Sequence, residues 1–284
     1  MNRLKSLFLT SYITVASITG FHGLWVLAAR GFDLPWLGAT VAGLAGAGFF
    51  AQLFLLPVAR TSANLVPLSA FLASAAALGI SSWLTPEADW QPAAYSLFIL
   101  LGWLAYIFWY SRYSHRESEI LVVGKPLVSF RLKNAQDVVI SSESFLGSPA
   151  LFLFYRGNWC PFCTTQVKEL AEQYRELDAL GAQVVLVSPQ PPGQTRKLAA
   201  KYEVPFHFLV DEDNQVARRL GIDAAKGLPA GLEVLGYDSD TVLPTVIITD
   251  EKGTILYADL PTNYRLRPEP SEFLRVLREA KAVG

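Results

Sequence analysis

The feature that most limits how this chain can fold is a series of four long apolar stretches in its first 110 residues. They run over about residues 7–29, 34–59, 65–84 and 92–110, and short polar breaks separate them. At a rise of about 1.5 Å per residue, about 20 helical residues cross a hydrocarbon core of about 30 Å. Each stretch is long enough to span a membrane, so we expect an all-α bundle of four transmembrane helices.

Charge divides the chain in the same way. Only eight charged residues lie in positions 1–115, although the whole chain has 24 basic and 25 acidic side chains. Six of the seven Trp residues lie there as well, whereas both Cys residues lie beyond it. This contrast excludes a single globular domain, a disordered chain, a disulfide-stapled secreted module and a nucleic-acid binder with a basic face. The sequence predicts a membrane domain at 1–115 and a soluble domain at 116–284.

Basic residues predict the orientation, because loops on the cytoplasmic side of a membrane are enriched in Lys and Arg. Four helices place both chain ends on one side, and the other side carries Arg30 alone among the basic residues near the stretches. The basic residues on the side of the chain ends are Arg3, Lys5, Arg60, Arg112 and Arg116. We therefore expect an integral protein of a bacterial-type inner membrane, with the soluble domain in the cytoplasm. A cleaved signal peptide is the alternative, but the first apolar run continues through Ala29 without a small-residue cleavage site.

The apolar stretches carry little reactive chemistry. Small residues at four-residue spacing, as in Ala39, Gly43 and Ala47, predict close helix packing, and an oligomer formed through these helices stays an open alternative. The ionisable His22 is expected to be a neutral imidazole bonded to a neighbour such as Gln52, since a haem site would usually need a second axial ligand. No Cys lies in any stretch, which argues against a transmembrane thiol relay. The domain is interpreted as an anchor or an assembly platform.

Beyond a polar linker, short β-rich runs alternate with amphipathic helices. The expected order is a hairpin over 126–140, a central strand at 150–155, a helix at 161–180, a strand at 183–188, a helix at 195–202, a strand at 206–210 and a helix at 214–220. A strand at 246–249, a strand at 254–258 and a closing helix at 271–281 follow. This alternation predicts an α/β domain around a mixed central sheet.

The chemistry of the soluble half is concentrated in a Cys-x-x-Cys motif, Cys160 to Cys163, where the central strand meets the next helix. Two Cys at the first turn of a helix can close a disulfide on oxidation. The helix N-terminus stabilises a thiolate, and Arg156 adds a nearby positive charge. We therefore expect Cys160 to have the lowered pKa and to act as the attacking thiolate, with Cys163 as the resolving group.

A metal half-site is the alternative interpretation of the two Cys residues. A zinc site needs about four ligands, and the remaining ones would have to be His115, His207 or carboxylates. His207 lies in an apolar strand, which favours a buried core histidine. A Cys-x-x-Cys within a strand–helix–strand context is typical of a redox site, so neither a metal nor another cofactor is predicted.

Four segments of the soluble half resemble a known family. They are Phe-Tyr-Arg-Gly-Asn-Trp-Cys-Pro-Phe-Cys at 154–163, Gly-Ala-Gln-Val-Val at 181–185, Phe-Leu-Val-Asp at 208–211 and Pro-Thr-Val-Ile at 244–247. With them, residues from about 124 to 284 resemble the thioredoxin fold, and specifically redoxins of the alkyl hydroperoxide reductase/thiol-specific antioxidant (peroxiredoxin-like) family. The resemblance implies a thiol-dependent oxidoreductase with a redox-active disulfide. It does not include the four apolar stretches.

Two activities compete within that superfamily. Peroxiredoxins resemble Pro-x-x-x-Thr-x-x-Cys around the peroxide-reacting Cys, with an Arg late in the chain. On this chain, Cys163 takes the peroxide-reacting position and Cys160 replaces the Thr. Arg156 replaces the Pro, and Leu243 falls at the late Arg position, so the pattern is broken three times.

Thioredoxin-like oxidoreductases instead resemble Trp-Cys-x-x-Cys with a cis-proline facing the dithiol, and Trp159 and Pro244 match these features. We therefore predict a membrane-anchored thiol–disulfide oxidoreductase, in which Cys160 attacks a disulfide and Cys163 resolves the mixed disulfide. Trp159 and Pro244 would shape the substrate platform, and Arg156 would favour the thiolate.

The alternative functions are a thiol peroxidase that reduces hydroperoxides, lipid hydroperoxides among them, and a non-enzymatic membrane redox sensor. The expected partners are a disulfide or hydroperoxide substrate, a thiol electron donor and a lipid membrane. No nucleic acid is expected to bind.

Overall fold

The computed structural model describes residues 3–84, 89–113 and 118–283. The chain divides into two compact units. One consists of Leu4–Pro57 and Thr61–Arg112, and the other is formed mainly by Tyr113–Gly284 and also takes in Val58–Arg60. The predicted domain boundary between positions 115 and 116 lies outside the described residues, as do Arg116 and His115.

Four apolar helices make up the first unit over the residues described. Their bounds are α1 Arg3–Arg30, α2 Leu34–Leu55, α3 Val66–Ile80 and α4 Gln91–Ala105. A 3₁₀ turn at Ser81–Leu84 extends α3, and a π-helical turn at Tyr106–Tyr110 extends α4. By length and composition, these helices are long and apolar enough to cross a membrane. The expectation of four helices is confirmed, although α2 stops short of residue 59 because Pro57 disfavours helical backbone in the residue before it.

Small residues allow these helices to approach closely. A Cβ added at Gly43 of α2 would lie 2.7 Å from the backbone nitrogen of Gly20 in α1, which is closer than packed atoms can lie. His22 contacts Tyr95, whose hydroxyl lies 3.2 Å from Nδ1 of the imidazole. The expected partner Gln52 was wrong, since it is exposed near the opposite end of α2.

The second unit, as described, is an α/β domain built on a mixed seven-stranded sheet. Its strands are β1 Arg131–Asn134, β2 Val139–Ser141, β3 Ala150–Phe154, β4 Gln183–Ser188, β5 His207–Val210, β8 Thr245–Thr249 and β9 Ile255–Asp259. Across the sheet they lie in the order β2-β1-β5-β4-β3-β8-β9. A separate two-stranded sheet pairs β6 Asp223–Ala224 with β7 Thr241–Val242. Strand β3 is central: it runs parallel to β4 and antiparallel to β8, and all five of its residues are buried.

Helices cover this sheet, and most begin or end within a few residues of the prediction. They are α5 Pro161–Glu172, α6 Tyr174–Ala179, α7 Pro192–Lys201, α8 Gln215–Arg219 and α9 Pro270–Val283. The single helix predicted over 161–180 is broken at Gln173, which has φ −92° and ψ 7°. The backbone N–H of Gln173 is shared between the carbonyls of Glu169 and Leu170, so the chain tightens there and starts a new helix.

The structure also corrects the interpretation of His207, which is exposed rather than buried in the core. It is the first residue of β5, and β1 pairs only with Leu209 and Val210 of that strand. His207 therefore lies beyond the part of β5 that β1 covers. Its ring centroid lies 4.9 Å from that of Phe145.

Candidate active site

Both sulfur atoms lie at the start of α5, directly after the central strand. Pro161 occupies the first helical position, which suits its fixed φ angle and missing N–H, and Cys160 precedes it as the N-cap. The backbone N–H of Cys163 donates to the carbonyl of Cys160 at 3.0 Å. Cys160 is 2% exposed and Cys163 is 0% exposed, so the dithiol is buried at one end of the helix.

Cys163 is surrounded by groups that stabilise a thiolate. Nη2 of Arg267 donates to its sulfur at 3.8 Å, and the neighbouring thiol of Cys160 and the backbone of Arg156 also favour its charged form. Burial on its own would raise the pKa of Cys163. The hydrogen bond from Cys160, the charge of Arg267 and the contribution of Arg156 outweigh burial and lower the pKa of Cys163 to about 6.

Cys160 has the opposite behaviour. Burial raises the pKa of Cys160 well above its ordinary value, and the hydrogen bond to Cys163 raises it further, because ionisation would place a second negative charge beside the first. The surroundings of the two sulfurs therefore favour Cys163, rather than the expected Cys160, as the thiolate. The thiol of Cys160 favours the charged form of Cys163, and Arg267 donates to the Cys163 sulfur. Both effects favour the thiolate on Cys163.

Arg267 was not predicted as a site residue. It lies between β9 and α9 and is 7% exposed. Its Nε donates to the carbonyl oxygen of Tyr264 at 2.8 Å, and its Nη1 donates to Oε1 of Gln166 at 3.3 Å. Gln166 lies one helical turn after Cys163 and is fully buried. Leu243 falls at the late Arg position of the peroxiredoxin pattern, and here Arg267 supplies a guanidinium group from further along the chain.

Arg156, a predicted site residue, acts on Cys163 through its backbone and through its charge. Its guanidinium carbon lies 4.4 Å from the ring centroid of Trp159 and 5.5 Å from that of Tyr264. Its Nη2 donates to the carbonyl of Gly227 at 2.6 Å. Trp159 is half-buried, and the stack lies beside the dithiol because Trp159 directly precedes Cys160 in the chain.

Gly157 makes that stack sterically feasible. Its φ is +139°, and an added Cβ would lie 2.9 Å from Cδ1 and Nε1 of Trp159. The next residue is anchored by Gln190: the backbone N–H of Asn158 donates to Oε1 of Gln190 at 2.8 Å. Nε2 of Gln190 also donates to the hydroxyl of Tyr155 at 3.0 Å, so the turn between β3 and α5 is held along its length.

Pro244 lies where β8 begins, and it is buried. Thr245 pairs with Phe154, the last residue of β3. Pro244 therefore lies at the end of the strands from which the chain continues to the dithiol. The expected cis-proline is contradicted, because the described part of the chain has no cis peptide bond. The trans form is the lower-energy one, and the hydrogen bond from Leu243 N–H to the Ile222 carbonyl at 2.7 Å holds the chain extended before the strand.

Sequence comparison identifies the family. Residues 123–258 match the AhpC/TSA family model. A bcp peroxiredoxin of Haemophilus influenzae is 33% identical over 136 residues, which cover 48% of this chain and 84% of the relative. The chain belongs to the AhpC/TSA family. A chloroplastic peroxiredoxin Q of Gentiana triflora is 32% identical over 174 residues, or 59% of this chain and 73% of the relative.

Among solved structures, the peroxidoxin BcpB of Mycobacterium tuberculosis is similar, with 18% identity and a TM-score of 0.46 over 55% of this chain and 96% of that one. Family membership makes the protein a thiol-dependent oxidoreductase. The family match ends at residue 258. Arg267 and Tyr264 therefore lie beyond the region that the family model matches.

Proposed function

We propose that this protein is a thiol peroxidase, with Cys163 as the attacking thiolate and Cys160 as the resolving thiol. The observation that supports this assignment most directly is the surroundings of Cys163, where a buried sulfur receives hydrogen bonds and the charge of Arg267. Cys163 also occupies the peroxide-reacting position of the family pattern. An activated, desolvated thiolate beside a fixed guanidinium suits attack on a small hydroperoxide.

The reaction proceeds in two steps at the same helix end. The Cys163 thiolate attacks the terminal oxygen of the hydroperoxide, so that an S–O bond forms, the O–O bond breaks and the remaining oxygen leaves as an alcohol or water after gaining a proton. The sulfur of Cys160 then attacks the sulfenic acid of Cys163, which forms the disulfide and releases water. An external thiol donor, small enough to reach the buried sulfurs, supplies the two electrons that restore the dithiol.

Burial favours this function over disulfide exchange. A bulky disulfide substrate must reach the attacking sulfur in line, whereas Cys163 is 0% exposed and Cys160 only 2% exposed. A small hydroperoxide needs far less room. In this proposal Arg267 offsets the developing negative charge, Trp159 and Arg156 shape the approach to the dithiol, and Pro244 positions the neighbouring strand.

We also propose that the four apolar helices anchor the enzyme in a bacterial-type inner membrane, with the redox unit in the cytoplasm. The support is their length and composition and the excess of basic residues on the side of the chain ends. An anchored peroxidase would lie close to lipid hydroperoxides, which form within the bilayer. Assembly through these helices would bring several redox units together.

The test uses the reduced full-length protein in detergent, mixed separately with one equivalent of hydrogen peroxide and one equivalent of a small-molecule disulfide. We expect peroxide to be consumed far faster than by a free thiol, with an intramolecular disulfide detected by mass spectrometry. The Cys163→Ser variant serves as the control for non-specific oxidation. Slow peroxide consumption together with rapid disulfide exchange would replace the peroxidase assignment with a disulfide oxidoreductase.

A further inference from the structure

We propose that Arg60 is a positioning residue for the peroxide reaction, because it holds the segment that carries Arg267 to the sulfur of Cys163. This role rests on the proposed peroxidase function. In the sequence, Arg60 lies between the apolar helices α2 and α3, far from residues 123–258, which the family model matches.

Arg60 is part of the redox unit although its neighbours in the sequence are apolar helices. Val58–Arg60 form one compact unit with Tyr113–Gly284. The side chain of Arg60 is 27% exposed, so most of it is shielded from solvent and its N–H groups need acceptors in the protein. The acceptors that the structure describes for Arg60 lie on two elements, the segment before α9 and helix α5.

The first element is the segment that carries Arg267. Nε of Arg60 donates to the carbonyl oxygen of Arg267 at 3.2 Å, and its Nη2 donates to the carbonyl oxygen of Pro268 at 3.4 Å. Residues 264–269 belong to no strand or helix, so their carbonyls depend on partners outside the regular ladders. Arg60 therefore fixes the backbone from which the Arg267 side chain extends.

The second element is α5, the helix that begins at the dithiol. The guanidinium group of Arg60 bonds both carboxylate oxygens of Glu169, with Nη1 3.2 Å from Oε1 and Nη2 bonded to Oε2. Such two-pronged pairing fixes the relative orientation of the two groups. Cys163, Gln166 and Glu169 are three residues apart along α5, so each lies next to the following one on the helix surface.

Arg267 is thus tied to α5 at both its side chain and its backbone. The side chain donates to Gln166 and to the sulfur of Cys163, and the carbonyl accepts from Arg60, which is itself paired with Glu169. The contact with the sulfur is long, at 3.8 Å, so a small outward shift of this backbone would break it. Arg60 therefore acts on the sulfur through Arg267.

An ion pair that only stabilises the fold is the alternative account of Arg60. Such a pair would change the unfolding temperature but not the ionisation of Cys163. The chain offers a matched control in Arg278 of α9, which pairs with Glu176 of α6 at 2.6 Å. No described hydrogen bond joins Arg278 to Arg267.

The test titrates the thiolate of reduced full-length protein in detergent by its ultraviolet absorbance. In the wild type, the thiolate forms as the pH rises through the pKa of Cys163, about 6. We expect the midpoint of Arg60→Met to move to higher pH, because Arg267 then stabilises the thiolate less. The midpoint of Arg278→Met should equal that of the wild type. An unshifted midpoint in Arg60→Met, with the fold retained by circular dichroism, would show that the positioning role is wrong.

Arg60→Lys separates geometry from charge. A Lys keeps the positive charge, but its ammonium group cannot form the paired bonds to a carboxylate. We expect its midpoint to move in the same direction as that of Arg60→Met. A wild-type midpoint in Arg60→Lys would mean that charge alone is sufficient, and the positioning role would be rejected.

The rate of reaction with one equivalent of hydrogen peroxide gives a second readout. Near neutral pH, we expect Arg60→Met to react about tenfold more slowly than the wild type. The same substitution made in Arg267→Met should lower the rate no further, because its effect needs Arg267. An equal loss in both backgrounds would overturn the proposal. If the wild type reacts no faster than a free thiol while the midpoint still shifts, the peroxidase function fails but Arg60 still controls the ionisation of Cys163.

Discussion

Two segments build the dithiol site, and the sequence reveals them to very different degrees. Residues 154–166 run from the central strand into α5 and hold both Cys residues within a recognisable motif. Residues 260–269 connect β9 to α9 without a regular pattern, yet they deliver Arg267 to the sulfur of Cys163. The motif thus determines which atoms can react, while a distant segment helps determine which Cys ionises.

The largest expected effect tests the first segment. Replacing Cys163 with Ser removes the thiolate, and we expect peroxide consumption to fall to the rate measured without protein. Stopped-flow consumption of hydrogen peroxide measures this, with far-ultraviolet circular dichroism to confirm that the fold is retained. Fast single-turnover oxidation of the remaining Cys160 would show that a Cys in the motif reacts without the hydrogen bond that Arg267 donates to Cys163.

Arg267→Met tests the second segment. Loss of a fixed charge-stabilising donor typically costs about 10²–10³-fold in rate, and we expect a loss of that order near neutral pH. The thiolate of the wild type forms as the pH rises through the pKa of Cys163, about 6. Removing the guanidinium favours the neutral thiol, so the midpoint of the pH–rate profile should move to higher pH and the loss should be greatest at low pH.

The matched control is Arg275→Met, because Arg275 is exposed on α9 and pairs with Glu272 and Glu279. Its pH–rate profile should coincide with that of the wild type. An unchanged midpoint in Arg267→Met would show that the first segment alone sets the ionisation of Cys163.

Gln166→Leu tests the contact between the two segments. Gln166 belongs to α5 and accepts a hydrogen bond from Arg267 at 3.3 Å, and a bond to a charged group contributes about 1.5–3 kcal/mol. We expect kcat/KM for hydrogen peroxide to fall about tenfold, since the Tyr264 carbonyl still holds the guanidinium. A loss as large as that of Arg267→Met would mean that Gln166, rather than the distant segment, positions the charge.

The smallest expected effect on catalysis is that of Gly157→Ala. The new Cβ would meet the Trp159 ring in a backbone conformation that L side chains rarely adopt, so we expect a loss of stability of about 1–3 kcal/mol and a rate change of only a few-fold. Gly181→Ala is the control, since Gly181 has φ +73° and no neighbour within 4 Å of the added atom. If the two variants have the same unfolding temperature, the contact with Trp159 adds nothing to the loss of stability.

Local signals account for the parts of the fold that the sequence predicts well. The apolar run at 150–155 predicts the buried central strand, and Pro161 predicts the start of α5. Both signals can be read from the sequence because they depend only on residues that are adjacent in the chain. The strand at 183–188 was predicted at its observed bounds. The break at Gln173 has no such marker, since neither Gly nor Pro lies there and the turn depends on a shared hydrogen bond.

The features that were missed depend on contacts between distant residues. Arg267 and Cys163 are 104 positions apart. No sequence pattern shows that the segment before α9, which holds Arg267, lies against α5, which holds Cys163. Burial and the approach of Arg267 favour Cys163 as the thiolate, whereas the motif alone pointed to Cys160. Pro244 was expected to be cis from the resemblance, whereas its own neighbours hold an extended trans backbone.

The burial of both sulfurs has a practical consequence for surveys of reactive cysteines. Redox proteomics tags thiols in native lysates with bulky alkylating reagents, and such reagents need a sulfur they can reach. Cys160 is 2% exposed and Cys163 0% exposed, so native tagging should give almost no signal and denatured tagging should give two thiols per chain. A protein whose chemistry depends entirely on thiols would then be recorded as unreactive, and a small oxidant rather than a bulky tag is the probe that can find it.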